Sequence, residues 1–482
     1  MILRWTCEKC NKKWIYPIEK CIYCKGNITK QKGTALKIIG TTKVNIPSVM
    51  HPIIPYNVIL LEDEFGSRQP KKTMKEYKIG DTYVEQKAKN DNAVSVVKVK
   101  YDIYEAIIES LSLVKDFNLN PEDKILIKAS CSYPAYPYQA VNNNPEFIDA
   151  LIKVLINLGI KKDHILVAEQ GLIGIDVMDA AAKSGILEAC KKNGVKFADI
   201  SKGPFEEIEH EGFKFNIFKE AITRKTLNAP VMKTNSQLGI SGALENLTRL
   251  CDEATQRIMF YEGIDNTLPK LSKEVKCFTI ADATNGMQDQ GPLSGGEPAF
   301  LNLVYSSDDA ASIDAVFCDA TMIGIPACVK NSMASPFDEI EIVGNELDAF
   351  KYPIKHARQN ETPHPDIKMI NGKACPACIN SMQSLTSKLL GMRGHQITLI
   401  IGSQFSANDL KENERLVALG DCAIKKLQEL QITGIAKLDE KTDDVEKIVL
   451  LQKLLTTEGT PKITQVDKVK SKMKKLLSKV AG

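Results

Sequence analysis

FTIADATNGMQDQGPLSGGEPAFLNLVYSSDDAASIDAVFCDATMIG, residues 278–324, decides the fold class. The apolar run ending on Asp282 has the length of a buried strand, and a turn-rich loop with Gly291-Pro292 and Gly295-Gly296 follows. Phe300 to Tyr305 reads as a second strand, and a helix is expected from about Asp309 to Ile323. In α/β sheets ligands sit beyond the carboxyl ends of strands, which puts Asp282, Gln290 and the N–H groups of the glycine loop where chemistry would happen.

Upstream the same alternation repeats. Strands are expected at Lys124–Ala129, His164–Glu169, Val195–Ile200 and Pro230–Met232. Helices are expected at Pro145–Leu158, with Asn144 as N-cap and Pro145 at N1, and at Asp176–Lys192. Strands alternating with helices of this length mean a mainly parallel sheet covered on both faces, within a body spanning 102–345. Residues 346–460 extend this α/β material. Residues 346–372 read as irregular, a helix opens at Cys375-Pro376-Ala377-Cys378, strands follow at Gln396–Gly402 and Glu414–Gly420, and a short last strand is expected at Ile432–Ala436. Residues 461–482 read as a Lys-rich amphipathic helix, docked on the protein itself or on a subunit, with an anion- or partner-binding arm as the alternative.

The front of the chain differs. Residues 1–30 hold Cys7-x-x-Cys10 and Cys21-x-x-Cys24, ten residues apart. Two such knuckles bring four thiolates to one tetrahedral centre, and four protein ligands make a closed, structural zinc site. Four unrelated thiols would not explain the paired spacing in a segment too small to fold without a staple. Residues 31–101 carry short alternating runs at Thr34–Thr42, Asn57–Leu61, Thr82–Gln86 and Val94–Lys100, with turns at Pro55, Gly66, Pro70 and Gly80, the pattern of a small antiparallel OB-type barrel.

With 482 residues the chain needs several cores, and its 63 basic against 60 acidic residues leave a charge of +3. Eight Arg among the cations argue against a dedicated nucleic-acid face. No apolar run nears the roughly 20 residues of a membrane span, so a cytoplasmic protein is expected. Its thirteen Cys then stay reduced.

Two families are visible. The ribbon followed by Gly33, Thr41-Thr42, Pro55-Tyr56 and Ile79-Gly80 resembles the zinc ribbon plus OB-fold of the family called domain of unknown function 35, over roughly 1–101. That resemblance implies association with a thiolase-like condensing enzyme and the holding of coenzyme A thioesters. KILIKAS with PEFIDAL, APVMKTN, SGALENLTR and the 278–324 stretch resemble the family called domain of unknown function 362, over roughly 120–345. That family's ferredoxin-like cysteine segment is absent, and its Lys-Thr-His and Leu-Lys-Asn segments stand here as Lys233-Thr234-Asn235 and Leu244-Glu245-Asn246.

Candidate chemistry follows. Asp282 is the general-base candidate. Lys128 and Lys233, at strand ends, would put positive charge on a CoA phosphate or a developing enolate. Gln290, Gly291, Gly295 and Gly296 would form a backbone nest for phosphate or carboxylate, although glycines in a tight turn need no ligand. Asp314 reads as packing or capping. Cys375 and Cys378 at a helix start, joined by Cys422 at another, would hold an iron–sulfur cluster, or a metal completed by His356 or His364; a redox pair or an idle reduced pair are the alternatives. The leading expectation is a multidomain, zinc-containing protein that handles acyl-CoA beside a condensing enzyme. A stand-alone iron–sulfur enzyme competes with it. Single-stranded nucleic-acid binding through Tyr77, Tyr83 and Lys87 is a third reading.

Overall fold

The computed structural model describes residues 1–457 except 50, 116, 294, 360 and 411–414, so the amphipathic helix expected at 461–482 lies outside the described residues. The chain is multidomain, with a ribbon and a small β-sheet in front of mainly parallel α/β layers.

The ribbon is a three-stranded antiparallel sheet in the order Lys13–Trp14, Ile2–Cys7, Ile28–Gly33. Trp5 pairs across from Trp14, giving a segment with almost no core of its own an aromatic floor under the cysteines. Next comes a four-stranded antiparallel sheet, Arg68–Thr73, Tyr56–Glu62, Leu36–Val44, Thr82–Tyr83. Strict alternation in Tyr56–Glu62 turns Ile59 and Leu61 onto Ile2, Leu36, Ile38 and Tyr83.

The strand expected last in this barrel behaves otherwise. Ala93–Lys98 is buried on both faces and joins the central sheet. Its run AVSVV is continuously small and apolar apart from Ser95, the pattern of a strand covered on two sides rather than of a barrel wall. The main path of that eleven-stranded sheet runs Lys196–Asp199, Ile165–Glu169, Ile125–Lys128, Lys225–Asn228, Cys277–Asp289, Leu303–Ser307, Ala93–Lys98, Glu341–Gly344. All are parallel except Leu303–Ser307, which is antiparallel to both neighbours. Helix Pro145–Asn157 starts as expected, with the Asn144 side chain accepting from the Glu146 N–H. The helix expected at 176–192 is two, broken at Ser184-Gly185, where Gly185 adopts φ 80°.

Within the 278–324 stretch, the first strand does not stop at Asp282 but runs Cys277–Asp289. It passes Asn285-Gly286 because Gly286, at φ 64°, lets the chain bulge beside Val231–Asn235 and continue. The second strand starts late, at Leu303, because Phe300 and Asn302 sit at positive φ.

A separate four-stranded sheet, parallel throughout, closes the described chain: Ile367–Gly372, Ile397–Gly402, Arg415–Leu419, Ala436–Leu438. Helices Pro376–Ser387, Asp421–Glu429 and Asp444–Thr456 accompany it. Its first strand lies inside the segment read as irregular, and its last falls at Ala436–Leu438 rather than 432–436. Among the described residues no helix is long and apolar enough to cross a membrane.

Candidate functional site

The four leading cysteines converge. Their sulfurs all lie within 4.8 Å of one another, with Cys7–Cys24 at 3.4 Å and Cys10–Cys21 at 3.5 Å. Tetrahedral thiolate zinc, with bonds of about 2.3 Å, sets its sulfurs at similar spacing. The Cys24 N–H points at the Cys21 sulfur at 3.4 Å, the backbone contact that steadies a metal-bound thiolate. A Cβ on Gly26 would stand 3.0 Å from Cys7 Sγ, so the sulfurs leave room only for glycine there. The donor set fits a soft metal ion.

Behind the ribbon, the small sheet is clamped to the α/β body. Glu346 accepts from Thr73 Oγ1 and the Met74 N–H at 2.7 Å each, and the ribbon is held as well, with Leu3 N–H donating to Tyr101 Oη at 2.8 Å and Lys30 pairing with Glu105 at 2.7 Å. Between the two parts lies a cavity of 340 Å³. Leu36, Tyr56, Val58 and Leu61 wall one side and Phe350 the other. Its charges are lopsided: Lys71, Lys72, Lys98, Lys100, His51 and the N-terminus face Glu85. Glu85 is already committed, to the N-terminal ammonium at 2.7 Å and to Lys71 at 3.5 Å; burial would raise its pKa, but these cations and Lys100 hold it down to about 2.

Lys72 and Lys98 have no carboxylate partner among the described ion pairs; Lys72 sits over the Tyr56 ring at 4.1 Å and Lys98 over Phe350 at 5.6 Å. Burial and the charge of Lys98 both lower the Lys72 pKa, and burial with Lys72 and Lys98 lowers that of His51. Cations that repel one another across an apolar recess favour an anion. A second cavity of 270 Å³ shares His51, Lys98 and Phe350 and continues toward Phe300 and Leu301. Tyr56 belongs to the Pro55-Tyr56 motif, but none of the cleft's cations stands out in the sequence. The pairs Lys71-Lys72 and Lys98/Lys100 are ordinary surface patterns until the fold sets them face to face.

The residues that were singled out are placed differently. Lys128 is fully buried, paired with Glu169 at 2.9 Å and donating to Asn246 Oδ1 at 3.0 Å and Ala129 O at 2.8 Å. Burial lowers its pKa against the pull of Glu169. Lys233, pushed down to about 8 by burial, donates to Val141 O at 2.8 Å. Asp282 is 2 % exposed and accepts from the N–H groups of Asn144 (2.9 Å) and Thr284 (3.1 Å), from Thr284 Oγ1 (2.7 Å) and from Asn143 Nδ2 (3.3 Å). Burial raises its pKa, but its oxygens hold the helix-start loop in place and face no described cavity. Asp314 caps, accepting from the Ala243 and Leu244 N–H groups.

The glycine loop is closely packed on the side where a Cβ would stand. A Cβ on Gly291 would meet Thr234 O at 2.3 Å, one on Gly295 Gln290 O at 2.6 Å, and one on Gly296 Met287 Sδ at 2.5 Å. The Gln290 side chain binds Arg358 O, Glu361 O and the Arg358 N–H, pinning that segment.

Among the described residues the four leading cysteines are the sole group that gathers as metal ligands; Cys375, Cys378 and Cys422 do not. His364 is tied to Met392 O and the Asp366 N–H, and His356 is exposed outside any such group. Of the residues expected on a nucleic-acid platform, Tyr83 is 7 % exposed, in the small sheet's core.

No curated protein matches the chain. Among solved structures, an aldolase complex described as Ltp2-ChsH2(DUF35) is similar at the N-terminal region, with 18% identity, a TM-score of 0.15, and coverage of 18% of this chain and 75% of that one. A Thermotoga maritima protein is similar at 11% identity and a TM-score of 0.23, over 38% of this chain and half the length of that one. Residues 125–319 match the family model named Domain of unknown function (DUF362), the family that the motifs around Lys128, Lys233, Asn246 and Asp282 resemble.

Proposed function

We propose that this chain holds coenzyme A thioesters in the cleft between its small N-terminal sheet and its α/β body, and presents them to a thiolase-like condensing enzyme. The observation that carries the reading is the Lys72–Lys98–His51 set, without a carboxylate partner among the described ion pairs, in a 340 Å³ recess. Phosphates of the nucleotide would neutralise these cations, while the Tyr56, Leu36 and Phe350 walls suit an adenine ring and the pantetheine arm. Zinc in the four-cysteine site would be structural, since all four positions are filled by protein. The exposed Ile15, Tyr16, Ile22 and Tyr23 around the knuckles are 51–66 % accessible, an apolar rim that favours a docked partner. The buried Lys128–Glu169 cluster and the packed glycine loop support a scaffold role for the central body.

The test is recovery of the protein from its native host with a condensing enzyme attached, together with CoA binding by the purified chain. Recovery alone, with no calorimetric response to CoA or acetyl-CoA, overturns the reading.

A further inference from the structure

Every strand of the C-terminal sheet delivers its carboxyl end to one edge. Cys375 caps helix Pro376–Ser387 just beyond Gly372, Cys378 lies in that helix's first turn, and Cys422 follows the strand Arg415–Leu419. A cavity of 230 Å³ reaches all three, walled by Arg257, Ile258, Tyr261 and Ser403. Cys378 also lines a cavity of 400 Å³ that faces Tyr133 and Leu172 of the central body. In its wall Asn380 Nδ2 and Ser381 Oγ are buried without a hydrogen-bond partner. The pair thus stands between two openings.

The two sulfurs are unequal. The neighbouring Cys378 thiol and, against the cost of burial, the Cys378 and Ala377 N–H groups and Arg257, whose Nη1 is 3.8 Å away, bring Cys375 down to about 6. Arg257 is itself fixed by Glu253 at 2.9 Å and Glu440 at 3.1 Å. Cys378 is raised by the neighbouring Cys375 sulfur and by burial. The shifts run in opposite directions, Cys375 toward the thiolate and Cys378 toward the thiol, the division of labour that thiol–disulfide exchange requires.

We propose that Cys375 and Cys378 are a redox-active dithiol that reduces a low-molecular-weight disulfide. The Cys375 thiolate attacks one sulfur of RSSR, forming Cys375–S–SR and expelling RS⁻, which takes a proton from water. Cys378 loses its proton to water and attacks the Cys375 sulfur, forming the Cys375–Cys378 bond and expelling the second RS⁻. One protein thiolate and one thiol are oxidised, one disulfide is reduced to RSH and RS⁻, and a second dithiol resets the pair by the reverse exchange. Cys375 is 9 % exposed at the foot of a small recess, which admits a small disulfide and excludes a folded protein's.

The experiment uses full-length, zinc-loaded, reduced protein mixed with dithiobisnitrobenzoate, following thiolate release and mapping peptides by mass. Wild type should release two thiolates per chain in its fast phase, half-maximal near pH 6, and end with a Cys375–Cys378 bond. Cys378→Ser should stop at one and keep the adduct on Cys375, Cys375→Ser should slow the phase by about tenfold or more, and Cys422→Ser should match wild type. A stable adduct on wild-type Cys375, or a fast phase indifferent to Cys375→Ser, overturns the proposal. The wild-type peptide map decides it even if a variant fails to fold.

Discussion

Replacing Glu169 by Gln removes one charge from an ion pair that water does not reach, since Lys128 and Glu169 are 0% and 1% exposed and 2.9 Å apart. At an effective dielectric of about 20 that contact is worth about 6 kcal/mol of attraction. Part survives the substitution, because Lys128 keeps Asn246 Oδ1 and Ala129 O as acceptors. Glu169 also accepts from the Cys131 and Gln170 N–H groups at 3.2 and 2.7 Å, and a Gln oxygen can keep one of them. The expected cost is about 4 kcal/mol, in the range for breaking a buried pair from one side. The unfolding transition of the α/β body should move down by roughly 10 °C in a thermal melt followed by circular dichroism. Adding Lys128→Met removes the stranded ammonium, and the double variant should recover to a loss of about 1–2 kcal/mol. A loss under about 1 kcal/mol for Glu169→Gln, or costs that simply add in the double variant, would refute the reasoning that this pair is a structural keystone of the sheet.

Three further outcomes follow. Lys233 has a folded pKa of about 8 against an ordinary 10.5, so between those values the unfolded chain binds more protons and stability rises with pH. The gain is at most about 1.4 kcal/mol per pH unit, and denaturant titrations at pH 8 and 10 should lose that increment in Lys233→Met relative to wild type. Gly291→Ala forces a Cβ to within 2.3 Å of Thr234 O and should cost about 1–3 kcal/mol in denaturant unfolding while leaving CoA affinity unchanged; a loss of affinity alone would restore the nest reading. Mass analysis of the native protein should find one zinc per chain, abolished in Cys7→Ser, and chelation should unfold the ribbon around Trp5 and Trp14, read as a fluorescence change.

Much of the fold is legible because the periodicities are strong: Asn144-Pro145 starts its helix, and ILIK, ILVAE and VMKTN are strands. The paired knuckle spacing placed all four converging sulfurs. Misreadings share a physical cause, namely that short segments take their partners from afar. AVSVVK became a central strand because Leu303–Ser307 and Glu341–Gly344 flank it. IKMING forms a strand only because Ile397–Gly402 lies alongside. Hairpin Phe205–His210 with Phe213–Phe218 turns on Glu211-Gly212 and was passed over in a charged run. Glycine pairs in the 291–296 loop mark close approach as readily as ligand binding, and neighbouring atoms do crowd the Cβ positions of Gly291, Gly295 and Gly296. The basic cleft had no local motif, because its lysines come from strands on two separate sheets.

In the proposed function CoA sits between the N-terminal sheet and the body. Its most direct test is calorimetric titration of CoA into the zinc-loaded chain and into Lys72→Glu/Lys98→Glu. Saturable, salt-weakened binding by wild type and a loss of about 100-fold or more in the double variant are predicted, at about 1.4 kcal/mol per tenfold and 1.5–3 kcal/mol per charged contact. Equal binding by both proteins, or none by wild type, would contradict the account.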